Sequence, residues 1–118
     1  LGAAAVQIGT AYMLCPQATT SAVHRTALGS EAAGHTALTN LFTGRPARAI
    51  RNRLINELGP MNAAAPAFPL ASLAIAPLRA AAESRGSGDF SPLWSGQNAS
   101  GCKDVCAGRL TRDLAGAL

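Results

Sequence analysis

The chain is poor in aromatic side chains and almost free of lysine. Tyr12, Phe42, Phe68, Phe90 and Trp94 are the whole aromatic complement of its 118 residues. Surfaces that bind nucleic acid usually combine a basic stripe with aromatics on which bases stack. Here the ten basic residues are scattered, Lys103 is the only lysine, and the one denser run, Arg45 to Arg53, has no aromatic interleaved. The net charge of +4 therefore does not point to a nucleic-acid partner. Cysteine is scarce as well. Cys15, Cys102 and Cys106 make an odd number, which excludes a fully paired disulfide framework, and the Cys102–Cys106 pair has no second half of a zinc site, so free thiols and no metal are expected. No apolar run reaches bilayer length: Ala63 to Leu78 is interrupted by Pro66, Pro69 and Pro77. Nothing at the start resembles a secretory signal, and the reading is a cytoplasmic protein without a membrane partner.

Alanine supplies much of the 48% hydrophobic content. It buries little area per residue, so a core built from it alone is weak. Ala3 to Ile8 reads as a strand buried on both faces, as in parallel sheets. Such a strand needs a hydrogen-bonding neighbour on each side. The chain starts at Leu1 directly before it, and we expect a piece of a longer protein. Pro16 stops regular structure, Thr19 or Thr20 can cap a helix over about Ser21 to Leu28, and Gly29 suits its end. His35 to Phe42 reads as extended and Gly44-Arg45-Pro46 as a turn. Ile50, Leu54 and Leu58 recur every four residues and predict a helix over Ala47 to Leu58, ended by Gly59-Pro60. Met61 to Phe68 is an Ala/Pro linker. Pro69 to Arg85 is a second helical region, which Pro77 should kink or split. Arg85 to Pro92 is a Gly/Ser loop, Ser95 to Gly101 is irregular, and Ala107 to Leu118 is a short helix with Leu110 and Leu114 on one face.

The sharpest chemical feature is Gln7-Ile8-Gly9-Thr10. A strand that ends in Gly-Thr lets the backbone approach an anion, because glycine has no Cβ. Successive N–H groups can then form a nest for phosphate oxygens, with the threonine hydroxyl as a further donor. Taken alone, the same residues fit an ordinary turn after a strand.

The surroundings narrow this. The run Gly2-Ala-Ala-Ala-Val-Gln-Ile-Gly-Thr-Ala-Tyr12 resembles the last-strand FMN-phosphate motif of nitronate monooxygenases, formerly called 2-nitropropane dioxygenases. The likeness continues through Leu14-Cys15-Pro16, Ala18 to Ser21, Thr26-Ala27-Leu28, Phe42-Thr43-Gly44-Arg45-Pro46-Ala47-Arg48, Asp89-Phe90 and Leu93-Trp94-Ser95-Gly96-Gln97. The resemblance implies an α/β fold, the C-terminal part of a (β/α)8 TIM barrel that is mostly helical here with one or two strands. Residues 1–30 would be the last barrel strand and its helix. Residues 31–68 would be a smaller substrate-side segment, and residues 69–118 helices and a loop packing back on the barrel. It further implies an enzyme that holds FMN without a covalent bond and oxidises alkyl nitronates with O2 to carbonyl compounds and nitrite. By motif match Gln7, Ile8, Gly9 and Thr10 would contact the FMN phosphate. The family's active-site histidine falls in an earlier segment with no counterpart here, so no catalytic residue is expected in this chain, which alone would be inactive. A barrel needs roughly 250 residues. A flavin-dependent enoyl-ACP reductase of the same superfamily shares a similar strand end, and a non-catalytic helical interaction module is the alternative outside the enzymes.

Other residues invite functional readings that the sequence does not favour. His24, on a helix, and His35, before an extended stretch, do not match the family's histidine and read as structural. Arg45 and Arg48 could bind an anion, but near a turn they more often pair with a carboxylate or a backbone carbonyl. Trp94, Gly96 and Gln97 could return toward the flavin or simply pack. Asn98-Ala99-Ser100 fits a glycosylation acceptor by chance.

Overall fold

A computed structural model describes residues 2–116. Its centre is an antiparallel ribbon of β1 (Thr36–Thr39) and β2 (Ala47–Ile50), with Thr36 opposite Ile50 and Thr39 opposite Ala47. The far edge of β2 is also occupied. Ala49 bridges Trp94, the Ile50 N–H donates to the Leu93 carbonyl at 2.8 Å, and the Ser95 N–H donates to that of Arg48 at 3.2 Å. β2 is thus an inner strand. Neighbouring side chains of a strand point to opposite faces, and here both are covered: Ala49 is 0% and Ile50 1% exposed. Ile50 joins Leu28, Ala33, Leu93 and Ala99 in one core, while Ala49 joins Leu41, Phe42, Leu54 and Ile55 in another.

The helix expected over Ala47 to Leu58 therefore begins as a strand. Only α2 (Arg53–Leu58) is helical. The fourfold spacing of Ile50, Leu54 and Leu58 marks no common face, since the first two sit in different cores and Leu58 is 51% exposed. The break between strand and helix is Asn52. Its side chain accepts from the Ile55 N–H and caps α2, while its amide donates to the carbonyls of Gly88 (2.9 Å) and Ser91 (3.0 Å).

Before the ribbon come a 3₁₀ turn at Thr10–Leu14, α1 (Ala22–Leu28) and a second 3₁₀ turn at Glu31–Gly34. The residue at the α1 N-cap is Ser21, not Thr19 or Thr20, and its side chain makes no capping bond. After the linker come α3 (Leu70–Glu83) and α4 (Ala107–Ala115). The last two residues of the helix expected over Ala107 to Leu118 lie outside the described residues. Pro77 neither splits nor ends α3. The bond it deletes would have gone to the carbonyl of Leu73, and both residues are exposed, Leu73 by 70%, so water can satisfy that carbonyl. The β1–β2 connection and the linker meet at Gly44. Its φ is +85°, and a Cβ there would stand 2.4 Å from the Phe68 nitrogen and 2.5 Å from the Pro66 oxygen. Only glycine fits that approach.

The strand expected at Ala3 to Ile8 does not form. Residues 2–9 are exposed and in no ladder, with Val6 64% exposed. Among the described residues β1, β2 and the 93–95 edge pair with one another, and none of them pairs with this segment. The chain exposes 7384 Å², against about 6,000 Å² for a monomeric protein of its mass. Its radius of gyration is 15.4 Å, against about 13.5 Å for a compact domain of its length. Val6, Ile8, Leu58, Met61, Phe68, Leu70 and Leu73 are large apolar contributors to that surplus. Among the described residues, no helix is long and apolar enough to cross a membrane.

Candidate functional site

Gln7, Ile8 and Gly9 run exposed into the 3₁₀ turn that Thr10 opens. Gly9 has φ −110° and ψ −61°, an ordinary right-handed conformation, so the positive φ that a glycine could have supplied is not used. A Cβ at Gly9 would meet nothing within 4 Å among the described residues, and the space in front of it is open. The Gly9 carbonyl accepts from the Tyr12 N–H at 3.0 Å.

Thr10 joins the two ends of the sequence. Its Oγ1 accepts from the Gly96 N–H at 2.8 Å, and its carbonyl accepts from the Cys102 thiol at 3.2 Å. A hydroxyl that accepts one bond still has its own hydrogen to donate. Further contacts fix the turn against α4. The Tyr12 hydroxyl bonds Thr111 Oγ1 at 2.8 Å, and Gln17 Oε1 accepts from the Ala107 N–H at 3.1 Å. The early motif and the Trp94-Ser95-Gly96-Gln97 motif thus meet through Thr10 and Gly96. Trp94 itself packs edge-on against Phe42 at 5.7 Å, and Gln97 is exposed.

His24 is buried, and its Nε2 lies 2.9 Å from the Trp94 carbonyl. A carbonyl only accepts, so Nε2 carries the hydrogen. Burial holds the imidazole below its ordinary pKa, the nearby Arg79 charge adds to this, and the bond to Trp94 opposes it. His35 is exposed, and its backbone joins Ala32 and Arg51. Among the described residues Arg45 and Arg48 find neither carboxylate nor carbonyl. The Arg45 guanidinium lies 4.3 Å over the Phe68 ring, and Arg48 Nη1 donates to Thr36 Oγ1 at 3.1 Å. All three cysteines are free. Cys106 occupies the N-cap position of α4 without a side-chain capping bond, and the N–H groups of Gly108, then Arg109, in the first turn hold its thiol below the usual range. Burial, then the neighbouring Cys15, pushes the Cys102 thiol up.

One polar residue near this region carried no sequence signal. Arg25, beside His24 on α1, spends its guanidinium on backbone carbonyls of the stretch that follows the 3₁₀ turn. Those carbonyls belong to an irregular segment whose course is not readable from composition.

Known proteins match this chain closely. The sequence profile of the Nitronate monooxygenase family covers residues 1–115. A nitronate monooxygenase of Pseudomonas aeruginosa is 40% identical over 115 residues, which are 97% of this chain and 33% of that protein. A probable nitronate monooxygenase of Staphylococcus saprophyticus is 33% identical over 98 residues, 83% of this chain and 28% of the relative. The solved structure of a nitroalkane oxidase from Streptomyces ansochromogenes superposes with a TM-score of 0.82 at 37% identity, covering 93% of this chain and 31% of that one. The chain spans about a third of the length of the curated relatives it matches. It belongs to the nitronate monooxygenase family.

Proposed function

We propose that this chain supplies the C-terminal third of an FMN-dependent nitronate monooxygenase built on a TIM barrel, and that Gln7, Ile8, Gly9 and Thr10 hold the phosphate end of the flavin. The observation that carries the proposal is the Gln7–Thr10 motif, open on its outer side and tied through Thr10 to Gly96. The residues fit a phosphate by donor type: backbone N–H groups in a segment that glycine leaves uncovered, and a threonine hydroxyl with its hydrogen free. FMN, when bound, would supply the redox chemistry between an alkyl nitronate and O2, which ends in a carbonyl compound and nitrite. This chain's part is to bind and orient the cofactor. Neither histidine matches the family's active-site histidine, and the base for the reaction would come from outside these residues.

The surplus exposed surface supports the same reading. Ala3 to Ile8, unpaired here, would be the last barrel strand, with Gly9 at its ligand-side end. Residues 31–68 would lie on the substrate side, and residues 69–118 would pack back on the barrel. The test is to express the complete reading frame that encodes this chain, record the flavin absorbance of the purified protein, and measure nitrite release from an alkyl nitronate. Flavin bound at one per chain together with nitrite release is the expected result. A folded protein that carries no flavin after reconstitution with FMN would refute the proposal.

A further inference from the structure

α1 carries two adjacent side chains that act on the two ends of the 3₁₀ turn that follows the candidate phosphate loop. Arg25 Nη1 donates to the carbonyl of Leu14 at 2.8 Å, Nη2 to those of Cys15 at 2.8 Å and Ala18 at 2.9 Å, and Nε to that of Thr20 at 3.3 Å. Leu14 and Cys15 are the last residue and the C-cap of the Thr10–Leu14 turn. Carbonyls at a helix end have no partner inside it, so Arg25 completes that end. A planar guanidinium can reach several acceptors at once, whereas a lysine ammonium is a single point. Among the described residues Arg25 makes no ion pair, and its hydrogen bonds are all spent on this stretch. At the opposite end of the turn, Thr10 Oγ1 takes the Gly96 N–H, and two residues before Gly96 the Trp94 carbonyl takes His24 Nε2–H.

We propose that His24 and Arg25 are positioning residues for the flavin: Arg25 fixes the C-terminal end of the 3₁₀ turn, His24 fixes the 94–96 segment that bonds its N-terminal end, and together they set where Gln7–Thr10 stands. This rests on the assignment of that loop to the FMN phosphate. Neither side chain touches the cofactor. Both act on the backbone that does.

Riboflavin has the ring system of FMN without the phosphate, so the ratio of the two affinities isolates the loop. The complete protein is stripped of flavin, and FMN and riboflavin are titrated separately by quenching of flavin fluorescence, with thermal midpoints of the apo-protein alongside. Arg25→Lys keeps the charge and loses the fork. The preference for FMN should fall about tenfold or more, the equivalent of one charge-assisted hydrogen bond, while riboflavin binding stays put. His24→Phe keeps the ring and deletes the donor, and should move the ratio the same way. Arg109→Ala, exposed on α4, should leave it unchanged. A merely structural role lowers the thermal midpoint with the ratio intact, and that result overturns the proposal. If Arg25→Lys does not fold, His24→Phe decides by the same criterion. If the wild-type protein holds riboflavin as tightly as FMN, the phosphate assignment itself falls and takes the positioning role with it.

Discussion

Gly44 offers a test in which two costs separate cleanly. Gly44 and Gly59 both have positive φ, +85° and +77°. Replacing either by alanine incurs a positive-φ backbone penalty, about 1–3 kcal/mol, which at Gly59 (ψ 152°) reflects a region kept almost wholly for glycine. The surroundings differ. At Gly59 an added Cβ meets nothing within 4 Å, whereas at Gly44 it meets the backbone of residues 66–68 at 2.4–2.7 Å. Backbone cannot swing away as a side-chain end can, so the linker must shift, and overpacking of this kind costs about 1–3 kcal/mol more. Gly44→Ala should therefore destabilise by about 2–6 kcal/mol and Gly59→Ala by about 1–3. Hydrogen exchange of the β1–β2 amides in the complete protein reads this locally, because strain in the folded state lowers every opening that relieves it. Exchange of the slow amides should speed up at least fivefold more in Gly44→Ala than in Gly59→Ala, since about 1 kcal/mol is already a factor of five. Equal shifts in the two variants would mean that the linker does not lie against the β1–β2 turn, and the reasoning would fail.

Three further expectations follow from the site. Gly9→Val should leave folding intact, since Gly9 has negative φ and open space before it, yet weaken FMN by roughly tenfold to a hundredfold if one or two hydrogen bonds to the phosphate are lost; unchanged FMN affinity by titration would contradict the assignment. His24 is held below its ordinary pKa of 6.5, so on acidification the unfolded chain takes the proton before the folded one does. Its stabilising contribution is whole above 6.5 and declines as pH falls from there to the folded value. Urea midpoints at pH 7.5 and 5.5 should show a drop that His24→Gln removes; Glu83, held low by Ser91 and then Arg79, titrates beneath this window. Finally, iodoacetamide at neutral pH should label Cys106 ahead of Cys102, as the helix-end amides favour the thiolate of one and burial disfavours that of the other. Mass spectrometry showing the reverse order would discount the cap geometry.

The family was legible in the sequence because its motifs are short, ordered and carried by residues with few substitutes: Gly9-Thr10, Gly44-Arg45-Pro46, Trp94-Ser95-Gly96. Two helices were legible too: α1 from Gly29 at its end, though its cap is Ser21, and α4 from Leu110 and Leu114 on one face. β2 was not. Its identity as a strand is decided by Leu93 and Ser95, more than forty residues away, and the Ile50/Leu54/Leu58 spacing imitates a helix that tertiary pairing overrules. Asn52 was the local clue, a strong N-cap residue placed just before Arg53-Leu54-Ile55. Ala3 to Ile8 reads as a buried strand from its apolar run, yet it is exposed and in no ladder, because a ladder needs a partner that composition cannot supply. For the site, the motif named Thr10, while its bond to Gly96 and the reach of Arg25 across 14–20 depend on how distant segments come together.

The Thr10–Gly96 bond also has a consequence in time. The two residues are 86 positions apart, and a ribosome adds about 5–20 residues per second. Thr10 is therefore made roughly 4–17 seconds before the amide that anchors it. Arg25 follows Thr10 within a few seconds and can gather the end of the 3₁₀ turn early, while the other end waits for the last quarter of the chain. Whatever precedes or follows these residues, the order of synthesis leaves the Thr10 end of the turn unanchored until Gly96 has been made.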